Sequence, residues 1–141
     1  MRTDSIEHRA RIIGTLRALV GVAMIAAPRA VARPAPDGTV SGTELFLLRT
    51  IGVRDLALGL GTLAATRSGR PAGSSGVDGV RRWARIGLLS DALDVVTGSL
   101  AVPLVGQDGA TIAATVPLPF VALDIWTLRA AAPAPAVAGR P

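Results

Sequence analysis

The chain has 141 residues, half of them hydrophobic and only 18% charged, with a mean hydropathy of +0.48. That balance favours a membrane protein over a soluble one, and the length allows one domain. Cysteine is absent, which excludes disulfides and thiolate metal sites, and the single histidine, His8, cannot assemble a metal site alone. The net charge is +5, and all 15 basic residues are arginine. These arginines are scattered along the chain and several fall inside apolar runs, unlike the basic face with aromatic or polar readers that nucleic-acid recognition uses. No metal, cofactor or nucleic-acid partner is therefore expected.

The polar N-terminus leads into an apolar run from Ile12 to Ala27, broken by Arg17 and stopped by Pro28. With Arg9 to Arg11 as a snorkelling end it reaches the length of a span, about residues 10–27. Ala10, Gly14, Arg17, Gly21 and Met24 recur at helical spacing as a stripe of small residues with one charge. The same stretch also reads as a secretory signal with Ala30-Val31-Ala32 as a cleavage site, but Arg17 interrupts its apolar middle.

After a Pro/Gly loop, Glu44 to Ala65 forms the second span, with Gly52, Asp55, Gly59 and Thr62 on one face. Arg54 points about 100° away from Asp55, so the two are expected to serve different neighbours. Thr66 to Val80 reads as a flexible connector without function. The third span, about residues 82–102, carries the stripe Ala84, Gly87, Asp91, Asp94, Gly98 and Ala101. Pro103 to Gly109 reads as a tight turn. The fourth span, about residues 110–131, contains Pro117 and Pro119, which should bend or break it, and carries Asp124. Residues 133–141 read as a disordered tail behind one membrane domain over 1–132.

Arginines concentrate in the N-terminus, the second loop and the C-terminus, whereas the first and third loops hold only Arg29 and Arg33. Positive-inside bias then places four spans in the plasma membrane with both termini cytoplasmic. The expected fold is all-α: a four-helix transmembrane bundle with a polar interior. Trp83 and Trp126, near the ends of apolar runs, suit the membrane interfaces.

Inside or at the shoulders of the apolar runs stand Arg17, Arg49, Arg54 and Arg85 against Asp55, Asp91, Asp94 and Asp124. On insertion scales a charge at the bilayer centre costs roughly 2.5–3.5 kcal/mol. Paired burial is therefore required. Structural ion pairing is the expected role of Arg49, Arg85 and Asp55. Asp91 and Asp94, at i,i+3 on one face, read instead as a functional carboxylate pair in which repulsion retains one proton at neutral pH. Arg17 and Arg54 are the candidates to hold the other carboxylate ionised.

The run Leu48-Arg49-Thr50-Ile51-Gly52-Val53-Arg54-Asp55-Leu56-Ala57-Leu58-Gly59-Leu60-Gly61, after a Gly-rich span ending Ala27-Pro28-Arg29 and before an acidic third span, resembles a family of small integral membrane proteins common in actinobacteria. Their layout is similar to that of DoxX-like four-helix proteins. The resemblance covers most of residues 10–130, is sharpest at Gly52-Val53-Arg54-Asp55 and Leu58-Gly59, and implies a four-helix membrane fold with a polar centre. It brings no activity with it.

The functional expectation is an intramembrane pocket that binds a lipophilic small molecule, with Arg17, Arg54 and Asp55 as ligand-binding residues and Asp91, Asp94 and Asp124 as candidate catalytic carboxylates. A sharper version is cofactor-free acid/base chemistry on that molecule, such as epoxide opening, cyclisation or isomerisation. Two other readings stand beside it: a proton-coupled transporter working as a homodimer, and a non-catalytic accessory membrane subunit. A soluble helical bundle would need every apolar face covered.

Overall fold

The computed structural model describes residues 2–32, 39–67 and 76–131. Among them the chain is helical without strands: α1 (Arg2–Ala26), α2 (Pro28–Val31), α3 (Gly42–Ala65), α4 (Gly76–Leu100), α5 (Val102–Thr115) and α6 (Leu118–Ala131). The tail expected over 133–141 lies outside the described residues, as do residues 68–75 of the connector.

Each boundary has a local cause. Pro28 lacks the N–H that would continue α1 and instead opens the single turn of α2 inside what reads as a loop. Ser41 caps α3 through a reciprocal box: Glu44 N donates to Ser41 Oγ (3.1 Å) and Ser41 N donates to Glu44 Oε2 (2.7 Å). Two expectations need correction here. The stretch Pro103 to Gly109 is not one tight turn: Pro103 falls in a first helical turn, where its missing donor costs nothing, and the chain leaves helical geometry only at Gly106. The kink in that helix sits at Gly106, whose φ of 72° is open to glycine. Helix α4, the expected third span, also starts earlier than expected, at Gly76, so residues 76–80 are helix rather than connector.

The packing is an antiparallel bundle. Helix α3 lies along α1, α4 packs against α5, α6 and α3, and α6 reaches α1. Glycines set the α1–α3 spacing: a Cβ on Gly59 would stand 2.6 Å from both the Ala18 amide nitrogen and the Gly14 carbonyl oxygen. A Cβ on Gly52 would stand 2.8 Å from the Gly21 carbonyl oxygen. Two glycines seven residues apart on each helix thus let the backbones touch, as in small-xxx-small packing. On the other side, Gly98 meets the backbone of Ala113 and Ala114, seating α4 on α5.

The start of α1, the end of α3 and the start of α4 meet in an apolar cluster of Ile6, Ala10, Ala65 and Val80, with Trp83 and Ala130 against it. Beyond that end the bundle turns inside out. Its buried groups include Arg17, Asp55, Asp91 and Asp124, while Leu19, Phe46, Leu60, Leu89 and Leu100 point outward and Leu104 is 86% exposed. Several exposed hydroxyls return to their own helix: Thr97 donates to Leu93 O, Ser99 to Val95 O, and Thr111 to Gln107 O. Among the described residues, Val102–Ala130 is the one stretch long and apolar enough to cross a membrane by length and composition.

Gly59→Val is expected to force α1 and α3 apart and to cost about 1–3 kcal/mol. Gly42→Ala, with nothing within 4 Å of its added Cβ, is expected to be neutral. Thermal unfolding of the two detergent-purified variants checks the contrast.

Candidate functional site

The polar centre is built by one residue from each of four helices. Arg17 of α1 projects from the stripe Ala10, Gly14, Gly21 and Met24, all buried against neighbouring helices. Its guanidinium is a planar fork, and every prong finds a carboxylate. Nη1 donates to Asp55 Oδ1 of α3 and to Asp91 Oδ1 of α4, each at 3.4 Å. Nη2 donates to Asp91 Oδ2 and, at 2.7 Å, to Asp124 Oδ2 of α6. Two parallel bonds to Asp91 make that pair bidentate, the arrangement arginine alone among cations supplies. The Arg17 side chain is only 2% exposed.

Two further contacts explain how so large a cation fits. Gly87, one turn before Asp91, has no side chain; a Cβ there would stand 2.7 Å from Asp124 Oδ2 and 3.1 Å from Arg17 Nη2. The ring of Phe120 lies under the guanidinium, with Cζ 4.5 Å from the ring centroid. The sequence reading missed Phe120. It stands four residues before Asp124 and therefore on the same helix face, which was the available signal.

Arg54 forms the second shell of charge. Its Nη1 donates to Asp94 Oδ2 and its Nη2 to Asp55 Oδ1 at 3.3 Å, with Asp91 Oδ1 3.9 Å away. Its Nε is buried without a hydrogen-bond partner. Arg54 and Asp94 side chains are 30% and 34% exposed, so this half of the network faces open space while the Arg17 half is sealed.

Three expectations change. Asp91 and Asp94, expected as a pair, take their shortest bonds from different arginines, Asp91 from Arg17 and Asp94 from Arg54, although Arg54 Nη2 also stands 3.9 Å from Asp91 Oδ1. Arg54 and Asp55 do share a contact, since the long arginine side chain folds back across the angle between consecutive residues. Neither Arg49 nor Arg85 forms an ion pair among the described residues. Arg49 instead donates through Nε to Ile25 O (3.4 Å), and Arg85 is exposed. Asp55, expected to pair structurally, does pair, with both arginines.

A cavity of about 550 Å³ opens beside the Arg54 half of the network. Its polar end is Arg54, Asp55, Asp91 and Asp94; its walls are apolar, among them Met24, Leu48, Ile51, Ala113, Val116 and Phe120. The network thus brings together all six residues expected to form the site, but Arg17 and Asp124 stand behind the cavity rather than in its lining. The far wall, from Leu104 to Pro117, was missed because that stretch read as a turn followed by a plain span. Among the described residues no group of His, Cys, Asp and Glu is arranged to hold a metal ion.

No family model matches this chain, and neither a curated protein nor a solved structure matches it.

Removing one partner of a buried charge pair leaves the other uncompensated, at a cost of about 3–5 kcal/mol. Arg17→Met is therefore expected to unfold the protein or to lower its melting temperature far more than Arg54→Met, whose site is partly open. Arg17→Lys should rescue little, because a compact ammonium cannot span three carboxylates. Circular-dichroism melting of the three variants in one detergent tests the ranking.

Proposed function

We propose that this chain is a multi-pass integral membrane protein, with four spans and both termini cytoplasmic, whose cavity binds a lipophilic small molecule. One observation carries the reading: charges are gathered at the centre, large apolar side chains cover the outside, and an apolar-walled cavity ends on those charges. In water each outward leucine forgoes about 1.5–3 kcal/mol of burial, whereas hydrocarbon supplies the missing environment. The exposed hydroxyls that bond back to their own helices suit the same surroundings, where backbone and side-chain polar groups need partners within the protein.

Charges interrupt the apolar stretches of α1, α3 and α4, and the network pairs the ones nearest their middles: Arg17, Arg54, Asp55, Asp91 and Asp94. Six unpaired charges would cost roughly 15–20 kcal/mol on the insertion scale, more than a domain's whole stability of about 5–15 kcal/mol. Sharing among two guanidiniums and four carboxylates removes most of that obstacle. Arg9, Arg11, Arg67, Arg81, Arg82 and Arg129 belong to the bundle end that holds the apolar cluster, which supports a cytoplasmic assignment for that end. Arg9 there donates to Trp126 O (3.0 Å) and stacks over the Trp126 ring (4.1 Å), a contact suited to the interface.

Binding is favoured over acid/base catalysis because each of the four carboxylates is already held by a guanidinium, Asp94 by Arg54 and the other three by Arg17. The cavity volume lies within the range of small-molecule sites, about 300–1,000 Å³.

Two measurements test the reading. The protein should stay with the membrane pellet after alkaline carbonate washing; release into the supernatant would overturn the membrane assignment. Mass spectrometry of detergent-purified protein should find a retained apolar compound that Ala113→Trp, a substitution filling the cavity, displaces without lowering the melting temperature. Equal retention by both forms would remove the cavity as the binding site.

A further inference from the structure

The cavity and the network are not neutral toward each other. Within the network two guanidiniums face four carboxylates. Behind the cavity, Arg17 is shared among Asp124, Asp91 and Asp55, so with all four carboxylates ionised the network as a whole carries two more negative charges than positive. The groups that line it are one cation, Arg54, and three anions, Asp55, Asp91 and Asp94. With those carboxylates ionised, the polar end of the cavity carries two negative charges more than positive ones.

We propose that the ligand of this cavity is a lipophilic amine: an apolar body carried by a protonated nitrogen that meets Asp94 and Asp91. This rests on the small-molecule reading above and names the chemistry of its ligand. An uncompensated carboxylate away from water is costly, and a cation that also donates hydrogen bonds is the partner that relieves it. Asp94 is the exposed member of the network and has a single arginine partner, so its remaining lone pairs are free to accept from an ammonium group. The walls that follow, from Thr97 and Ala101 on α4 to Ile112 and Val116 across the cavity, offer a hydrocarbon chain or ring system almost nothing to hydrogen-bond. An anionic amphiphile of the same shape would meet repulsion at Asp94, and a neutral one would leave the excess charge unrelieved.

The test uses full-length protein in lipid nanodiscs titrated with dodecylamine, dodecanol and dodecyl sulfate, with empty nanodiscs as the partition control. Bound probe is counted by native mass spectrometry. Dodecylamine is expected to bind at least about tenfold tighter than dodecanol, the equivalent of one charge-assisted hydrogen bond. Dodecyl sulfate should not bind above the control. Asp94→Asn should cut the preference for the amine over the alcohol, and Asp94→Glu should restore it, which separates loss of the charge from loss of the fold. Equal binding of amine and alcohol would mean that protons already balance the carboxylates, overturning this inference and leaving the cavity reading intact. Preferential binding of the sulfate would overturn it as well. Failure of all three probes to exceed the control, in protein whose melting temperature is unchanged, would overturn both readings.

Discussion

A single guanidinium shared by carboxylates from three other helices is the constraint on which the bundle depends. Arg17 reaches Asp55, Asp91 and Asp124 at once, so α1, α3, α4 and α6 must all present the right face at the same height. Hydrophobic packing alone gives no such instruction, since leucine against leucine is equally content one turn higher or lower. A fork of fixed geometry in a sealed centre fixes register, and the glycines let the backbones come close enough for the fork to reach. Gly87 is the clearest case, because any side chain there would occupy the space of the Asp124 carboxylate.

The network has two halves with different freedom. The Arg17 half is closed, stacked on Phe120 and saturated with acceptors. The Arg54 half borders the cavity and holds Asp94 by one arginine. On the proposed reading the two arginines divide the work: Arg17 organises the helices, and Arg54 sets the charge that a ligand would meet. The cavity lies beside the close approach of α4 to α5 at Gly98.

Much of this was legible in the residues. The stripes on the first three helices follow from small and charged residues at helical spacing, and each of those stripe residues is buried except Asp94 and Ala101, which are half-buried beside the cavity. Which carboxylate answers which arginine was not legible, because spacing within a helix says nothing of the rotation and height of its neighbour. Asp91 and Asp94 look like a pair along the chain, yet their shortest bonds come from two arginines on different helices. The Pro103–Gly109 stretch misled for a local reason: Pro and Gly together suggest a turn, yet Pro in a first helical turn and one kinked Gly are compatible with a continuing helix. Arg49 and Arg85 carried the same apparent signal as Arg17 and Arg54, but they fall outside the buried stripes.

Nitrogen NMR of the arginine guanidiniums, with ¹⁵N-arginine protein in nanodiscs, addresses the shared cation most directly. Arg17, pinned by carboxylates on both Nη atoms, should give separate Nη signals whose protons persist after transfer to deuterated water. Rotationally averaged, rapidly exchanging Nη signals for every arginine would contradict a sealed Arg17 centre and the bundle built around it.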